Sequence, residues 1–161
     1  MAADSNAGAL FLEVERLLQS WLRERRDVLT RYTEIAVALD SGLETNGLQG
    51  RQEVLCQLLV DYISAGHFEV FNRLVNEAES FDDGSCELAQ RILPAIGDTT
   101  EVILAYEEKY ARGAVAEDDE EKLRRDVSAL GELLESRFAL EDQLIAGLHI
   151  RHRREVQNPA P

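Results

Sequence analysis

The chain has 161 residues and carries 17 Lys and Arg against 31 Asp and Glu, a formal charge of −14 at pH 7. The length suits a single domain whose core needs no disulfide or metal, and the acidic surface disfavours nucleic-acid binding and favours basic protein partners, although it also serves plain solubility. No apolar run approaches the roughly 18 residues of a transmembrane helix, and the N-terminus lacks a signal core, so we expect a cytoplasmic protein.

Apolar side chains recur at a spacing of three to four residues and prolines are rare, a pattern that predicts helices throughout. The first helix is expected at about residues 10–39 and ends in turn-forming sequences at 40–42 and 46–47. The second is expected at about residues 52–80 and ends at 82–84.

The third predicted helix covers about residues 86–111, with a bend near Pro94 and an end at Gly113. The fourth begins in the acidic run 117–121, which suits the positive end of a helix dipole, and continues to about Arg154. Four helices with short connections predict an all-α, antiparallel up-down four-helix bundle in a single domain. Its ordered core is expected at about residues 10–154, between flexible tails at 1–8 and 156–161.

The second helix has an unusual outer side. Its core stripe consists of Leu55, Leu59, Tyr62, Gly66 and Val70. The opposite side carries Asp61, Ser64, Phe68 and Phe71. Two aromatic rings beside polar groups on an outer face indicate a docking surface for another protein, whereas a wider apolar face would bury Phe71. Gly66 either lets a neighbouring helix approach closely or makes room for a large ring such as Trp21.

Charged residues interrupt two of the apolar stripes. Arg25 lies on the core stripe of the first helix, and Arg137 and Glu141 lie on that of the fourth. This pattern predicts a buried polar layer in which Arg137 and Glu141 pair at a spacing of four residues. Arg25 then needs a second carboxylate or backbone carbonyls, and Tyr62 is one candidate hydroxyl partner. We expect this layer to be structural.

The sequence offers little for metal binding or catalysis. Di-iron bundles need several carboxylates and Glu-x-x-His pairs, and no such pair occurs here. The histidines are His67, His149 and His152, and His152 alone falls within a stripe. Ser64, Cys56 and Cys86 have no evident activating base, so we expect no enzyme, no cofactor and no metal. A hemerythrin-like metal-binding bundle is the alternative.

Residues 59–68, Leu-Val-Asp-Tyr-Ile-Ser-Ala-Gly-His-Phe, closely resemble the signature of the regulator of sigma D family, the anti-sigma factors Rsd and AlgQ. Three further segments, at 21–25, 87–90 and 135–145, are similar to the same family. The resemblance therefore covers about residues 10–150, and it is specific in the second and fourth helices.

The resemblance implies an all-helical protein that binds region four of the principal sigma factor. That region reads the −35 promoter element through a helix-turn-helix and contacts the β-flap of RNA polymerase, so that its occupation sequesters sigma. The matching positions imply a sigma-binding set on the first two helices, which consists of Asp61, Ser64, Phe68, Leu17 and Trp21. The resemblance also implies an alternative function, in which the protein modulates a stringent-response or sugar-transport partner.

Overall fold

The computed structural model of the chain describes residues 2–42, 47–111 and 120–157. Over these ranges the elements are helical and no strand occurs, which confirms the all-α prediction. The α-helices are α1 (Ala2–Asp40), α2 (Leu48–Ala65), α3 (Phe71–Phe81), α4 (Cys86–Tyr110), α5 (Glu120–Leu148) and α6 (Arg153–Gln157). A π-helical turn, Gly66–Val70, joins α2 to α3, and a 3-10 turn, Ile150–His152, precedes α6.

Helix α1 begins earlier than the sequence predicted, at Ala2 and not near residue 10. Ala7 is buried, so this first part of the helix packs on the protein. The predicted limits of the third helix are confirmed within one residue, and α4 continues without interruption through Pro94. Gly113, Asn46 and residues 117–119 lie outside the described part of the chain.

The second predicted helix is not one regular helix, because the π turn interrupts it. A π turn contains one more residue per turn than an α-helix and rotates the residues after it. Phe68 remains at the surface, 71% exposed, whereas Phe71 is only 7% exposed. The predicted outer position of Phe71 is therefore wrong, since a constant angle of about 100° per residue does not hold across the turn.

The fourth predicted helix also ends early. Helix α5 stops at Leu148, and His149 leaves the helical conformation with φ −130° and ψ −60°. The chain then continues through the 3-10 turn and α6. This break directs both His149 and His152 into the interior, where 1% and 0% of their surfaces are exposed.

The long helices pack side by side, α1 against α2, α3 and α5, and α4 against α2 and α5. Contacts between α1 and α5 join Arg25 to Glu141 and Tyr32 to Val127, and Glu15 of α1 contacts His149 just after the end of α5. Contacts between α4 and α5 join Ile96 to Arg137 and Lys109 to Asp126. Contacts of α1 with α2 join Arg25 to Tyr62, and contacts of α1 with α3 join Glu13 to Arg73. Along each of these helix pairs, the residue number in one helix rises from contact to contact while the residue number in the other falls.

The stretch Leu48–Phe81 is long and apolar enough by composition to cross a membrane, with a mean hydropathy of 1.2. However, 44% of its apolar window is buried inside the protein. Leu55, Leu59 and Tyr62 have no exposed surface. Its apolar character is thus that of a core helix.

Gly66 lies against two aromatic rings, as the sequence indicated for Trp21. A Cβ atom at this position would lie 3.0 Å from Trp21 Cζ2 and 3.3 Å from Phe71 Cζ. Gly97, in α4, has no atom within 4 Å of the equivalent point. Alanine substitution at Gly66 and at Gly97 therefore compares a tightly packed position with an open one.

We expect Gly66→Ala to lower the free energy of unfolding by about 1 kcal/mol, since overpacking costs about 1–3 kcal/mol and better helix propensity returns at most about 1 kcal/mol. Gly97→Ala should raise it by up to about 1 kcal/mol. Urea unfolding of both variants measures the difference. Equal stabilisation by the two alanines would show that the rings at Gly66 have room to shift.

Candidate functional site

Four of the five residues predicted to bind sigma, here called the docking face, are exposed or half-buried: Leu17 on α1, Asp61 and Ser64 on α2, and Phe68 in the π turn. Phe68 is 71% exposed, and its ring contacts the exposed His67 ring edge-on at 4.8 Å between centroids. Asp61 is exposed and accepts a hydrogen bond from Gln57 on its own helix. Ser64 and Leu17 are half-buried. The docking face thus combines a large exposed apolar side chain with an exposed carboxylate.

Trp21, the fifth residue of the predicted set, is buried and does not belong to the exposed docking face. It is 1% exposed, and its Nε1 donates a hydrogen bond to the Tyr62 carbonyl at 3.1 Å. Its ring stacks on that of Tyr62, with 4.7 Å between centroids, and meets Phe71 edge-on at 5.6 Å. The structure therefore moves Trp21 from the surface to the layer beneath Gly66, where it supports the π turn that carries Phe68.

Carboxylates gather around the docking face. Burial raises the pKa of Glu24 on α1, and the negative charges of Asp61, Glu69 and Asp27 raise it further. We call these four residues the acidic cluster, since Asp61, Glu69 and Asp27 each lie close enough to Glu24 to raise its pKa. Leu17 and Glu69 also line a common cleft between α1 and α3. Such a concentration of negative charge favours a basic ligand.

The predicted polar layer is present, and Glu141 lies at its centre with no exposed surface. Its carboxylate accepts hydrogen bonds from Tyr62 Oη at 2.5 Å, from Arg25 Nη2 at 3.0 Å and from Arg137 Nε at 3.0 Å. Arg25 finds its second carboxylate in Asp142, at 2.7 Å from Nη1. We call Arg25, Tyr62, Arg137 and Glu141 the Glu141 layer.

The sequence did not reveal how Arg137 completes its hydrogen bonds. Its Nη1 donates to Thr100 Oγ1 at 2.7 Å and Thr99 Oγ1 at 3.0 Å, both on α4. The two hydroxyls belong to a Thr-Thr pair on the side of α4 that faces α5, and neither residue carries a charge that would mark it as a partner. Through these contacts the layer connects side chains of α1, α2, α4 and α5.

Burial governs the ionisation of the layer. It raises the pKa of Glu141, while Arg137, Tyr62 and Arg25 oppose this shift. Burial also raises the pKa of Tyr62, and the charge of Glu141 adds to that effect, so the phenol stays protonated and donates. With two guanidinium groups in contact, the site is built to hold the ionised carboxylate.

The layer also supports the docking face. The Tyr62 hydroxyl donates to Glu141, and its carbonyl accepts from Trp21, on which Gly66 rests. The Arg25 guanidinium lies 4.8 Å from the centre of the Phe138 ring, a cation–π contact that closes the layer towards solvent. A continuous set of contacts therefore runs from the buried carboxylate to the π turn.

The sequence interpretation missed a second buried polar group, in which His149 and His152 contact Glu15, Glu77 and Asp83. The spacing of three residues between the histidines was the available signal, but a helix drawn straight to Arg154 left His149 off the stripe. No set of three His, Cys, Asp or Glu in the described ranges is placed to hold a metal ion. Burial raises the pKa of the Cys56 thiol to about 12, which keeps it unreactive.

Comparison with known proteins agrees with the sequence resemblance. The family model for "Regulator of RNA polymerase sigma(70) subunit, Rsd/AlgQ" matches residues 3–149. The chain is 32% identical to the Regulator of sigma D of Yersinia enterocolitica over 130 residues, which cover 80% of this chain and 78% of the relative. It is 32% identical to the protein of the same name from Shigella boydii over 147 residues, 90% of each chain. No solved structure matches significantly.

The Glu141 layer leads to a direct stability test. Glu141→Leu should lower the free energy of unfolding by about 3–5 kcal/mol, because Arg137 would remain buried without its carboxylate. Asp142→Leu is the matched control, since it removes the other, 62% exposed carboxylate bound by Arg25 and should cost at most about 1 kcal/mol.

Thermal and urea unfolding of the two variants, each with and without a chelator, measure this contrast. A nearly neutral Glu141→Leu would show that the position is solvated. A wild-type melting temperature that falls on chelation would show instead that the layer holds a metal.

Proposed function

The chain belongs to the Rsd/AlgQ family of regulators of the RNA polymerase sigma-70 subunit, and we propose that it inhibits the principal sigma factor by binding its region four. A sigma factor is accordingly its protein partner. The observation that carries the proposal is the 71% exposed Phe68, in a π turn whose Glu69 belongs with Asp61 to the acidic cluster. The family resemblance assigns the same positions to sigma recognition.

The docking face suits a basic, DNA-reading module on chemical grounds. Clustered carboxylates accelerate the encounter with a positively charged surface, whereas affinity depends on a few central anchors. Phe68 has the size and exposure of such an anchor, and the exposed Asp61 can accept a hydrogen bond from an arginine or lysine of the partner. Ser64 is small enough to allow close approach of the partner backbone.

Inhibition would follow from occupation of the sigma surface. A sigma factor held on the docking face cannot present region four to the −35 promoter element or to the β-flap of the core enzyme. The protein itself would contact no DNA, because its charge of −14 repels phosphates. This function requires no catalysis and no cofactor, and it places the protein in the cytoplasm with RNA polymerase.

We further infer that the helices form an antiparallel up-down bundle. This arrangement is supported by the order of contacts between α1 and α5, between α4 and α5, and between α1 and the helices α2 and α3. In each case the residue number rises in one helix as it falls in the other. Such a bundle would present α1 and α2 side by side and make the docking face a rigid surface. A rigid surface loses little conformational entropy on binding.

Titration of the protein against isolated sigma region four tests the proposal. We expect a complex of one protein with one region four, and competition by core RNA polymerase for intact sigma. Binding to intact sigma without binding to region four would refute the proposed contact while retaining a sigma partner. Binding to neither, together with capture of a stringent-response or sugar-transport protein, would favour the alternative role.

Phe68→Ala should weaken the affinity for region four by about 2 kcal/mol or more, since truncation of a central aromatic anchor has that cost. Its effect on the free energy of unfolding should be small, because the ring is exposed. Val102→Ala is the control, as Val102 is 51% exposed on α4 outside the docking face. Calorimetric titration and urea unfolding separate the two effects. If Phe68→Ala lost stability and kept its affinity, the docking face would be assigned to the wrong side.

Asp61→Lys should slow association with region four more than Asp98→Lys, which makes the same change of charge at an exposed position on α4. The reason is that nearby charges steer the encounter over a screening length of about 8 Å at physiological ionic strength. Stopped-flow association rates over a range of salt concentrations provide the measurement. Equal slowing by the two variants would mean that net charge, and not the acidic cluster, directs the encounter.

A further inference from the structure

A buried histidine cluster occurs outside both the docking face and the Glu141 layer. It consists of His149, His152, Glu15, Glu77 and Asp83. Glu77 has no exposed surface, and its two oxygens contact His149 Nδ1 at 2.7 Å and His152 Nδ1 at 2.8 Å. The second nitrogen of each ring contacts another carboxylate, Glu15 for His149 and Asp83 at 2.8 Å for His152.

This geometry determines the protonation of both rings. A neutral imidazole carries one N–H donor and one acceptor nitrogen, whereas an ionised carboxylate only accepts. Each ring here meets carboxylate oxygens at both nitrogens. Both nitrogens must therefore donate, which requires the positively charged imidazolium form of His149 and of His152.

We propose that His149 and His152 form a proton-dependent latch, which holds residues 149–157 on the protein while both rings are charged and releases them when the rings lose their protons. The latch connects three separate parts of the fold to the segment after α5. Glu15 belongs to α1, Glu77 to α3, and Asp83 to the turn between α3 and α4. This inference does not depend on the proposed binding of sigma.

The other charges at the cluster show why release follows from proton loss. Arg153 Nη2 lies 2.9 Å from Glu15, and Arg151 Nε lies 3.6 Å from Asp83, so these two carboxylates have a second cation. Within the described residues Glu77 makes its ion pairs with the two histidines alone. Deprotonation would leave a fully buried carboxylate against neutral rings, a state that is strongly unfavourable.

Two aromatic rings seal the cluster. Phe11 stacks on His149 with 4.2 Å between ring centroids, and Phe81 stacks on His152 at 4.0 Å. They exclude water from the faces of both imidazoles. Release of the segment would expose these two apolar rings as well as the carboxylates. It would therefore expose more surface than the fraying of a helix end.

The pH range of the latch follows from the direction of each shift. Burial lowers the pKa of both histidines, but their contacts with Glu77, Glu15 and Asp83 outweigh it and raise the pKa above the ordinary 6.5. The contribution of the two charged histidines to the latch is therefore complete below pH 6.5 and is lost as the pH rises through the folded values. Contacts with His149 and Arg153 hold the pKa of Glu15 below its ordinary 4.5, and contacts with Ser85 and His152 lower that of Asp83 to about 2. The latch accordingly also weakens in strong acid.

The test uses the full-length protein labelled with ¹⁵N. Nuclear magnetic resonance of the imidazole nitrogens between pH 5 and 9.5 reports the protonation of each ring, with the exposed His67 as reference. Amide hydrogen exchange of residues 149–156 reports release of the segment. We expect both rings to be doubly protonated at pH 7. Between pH 6.5 and the midpoints of the titration, the opening equilibrium should rise by up to about tenfold per pH unit for each proton that opening releases, and it should level off above those midpoints.

Glu77→Gln is the matched variant, because an amide cannot accept from both rings as the carboxylate does. It should lower the titration midpoints of both histidines together by about 1–3 pH units, the effect of removing a close opposite charge. Glu79→Gln makes the same change of charge at an exposed position of α3 and should leave both midpoints unchanged. If Glu77→Gln does not fold, the titration and the hydrogen exchange of the wild-type protein still test the latch.

Three results would overturn the latch. The first is a neutral His149 or His152 at pH 7 in a segment that remains protected. The second is protection of residues 149–156 that does not change as the rings lose their protons. The third is a spectrum that changes on addition of a chelator, which would identify the cluster as a metal site.

Discussion

The buried carboxylate of Glu141 is the interaction on which the rest of the structure depends. It accepts hydrogen bonds from Arg25 on α1, Tyr62 on α2 and Arg137 on its own helix, and Arg137 in turn reaches α4. A buried charge is tolerated only when its partners meet it in good geometry. A shift of any one helix by a turn would leave a charge or a hydroxyl unpaired, so the layer specifies the relative positions of the long helices.

The docking face follows from that alignment. Tyr62 connects the layer to Trp21, and Trp21 fills the space left by the missing side chain of Gly66. The π turn begins at this glycine, and it keeps Phe68 outside while it brings Phe71 into the core. π turns occur often at functional sites, and this one carries the most exposed of the large apolar side chains among the described residues. The same few residues therefore pack the core and position the proposed docking face.

The two buried polar groups differ in the kind of cation that they contain. The Glu141 layer uses arginines, which stay charged at every physiological pH. The histidine cluster uses imidazoles, whose charge depends on pH near neutrality. The first can therefore serve as a permanent connection in the middle of the protein, and the second as a conditional one at the end of the chain. Histidines near the end of a helix are easily taken for surface residues from sequence.

The sequence by itself determined the helical class, the limits of α4 and the pairing of Arg137 with Glu141, because helical periodicity decides which residues share a face. Family resemblance added the partner class. Only the tertiary structure decided that Phe71 is buried and that His149 meets Glu77, since a single added residue in the π turn and a break after Leu148 change the periodicity locally. The contact between His149 and Glu77 spans 72 residues, so no local pattern encodes it.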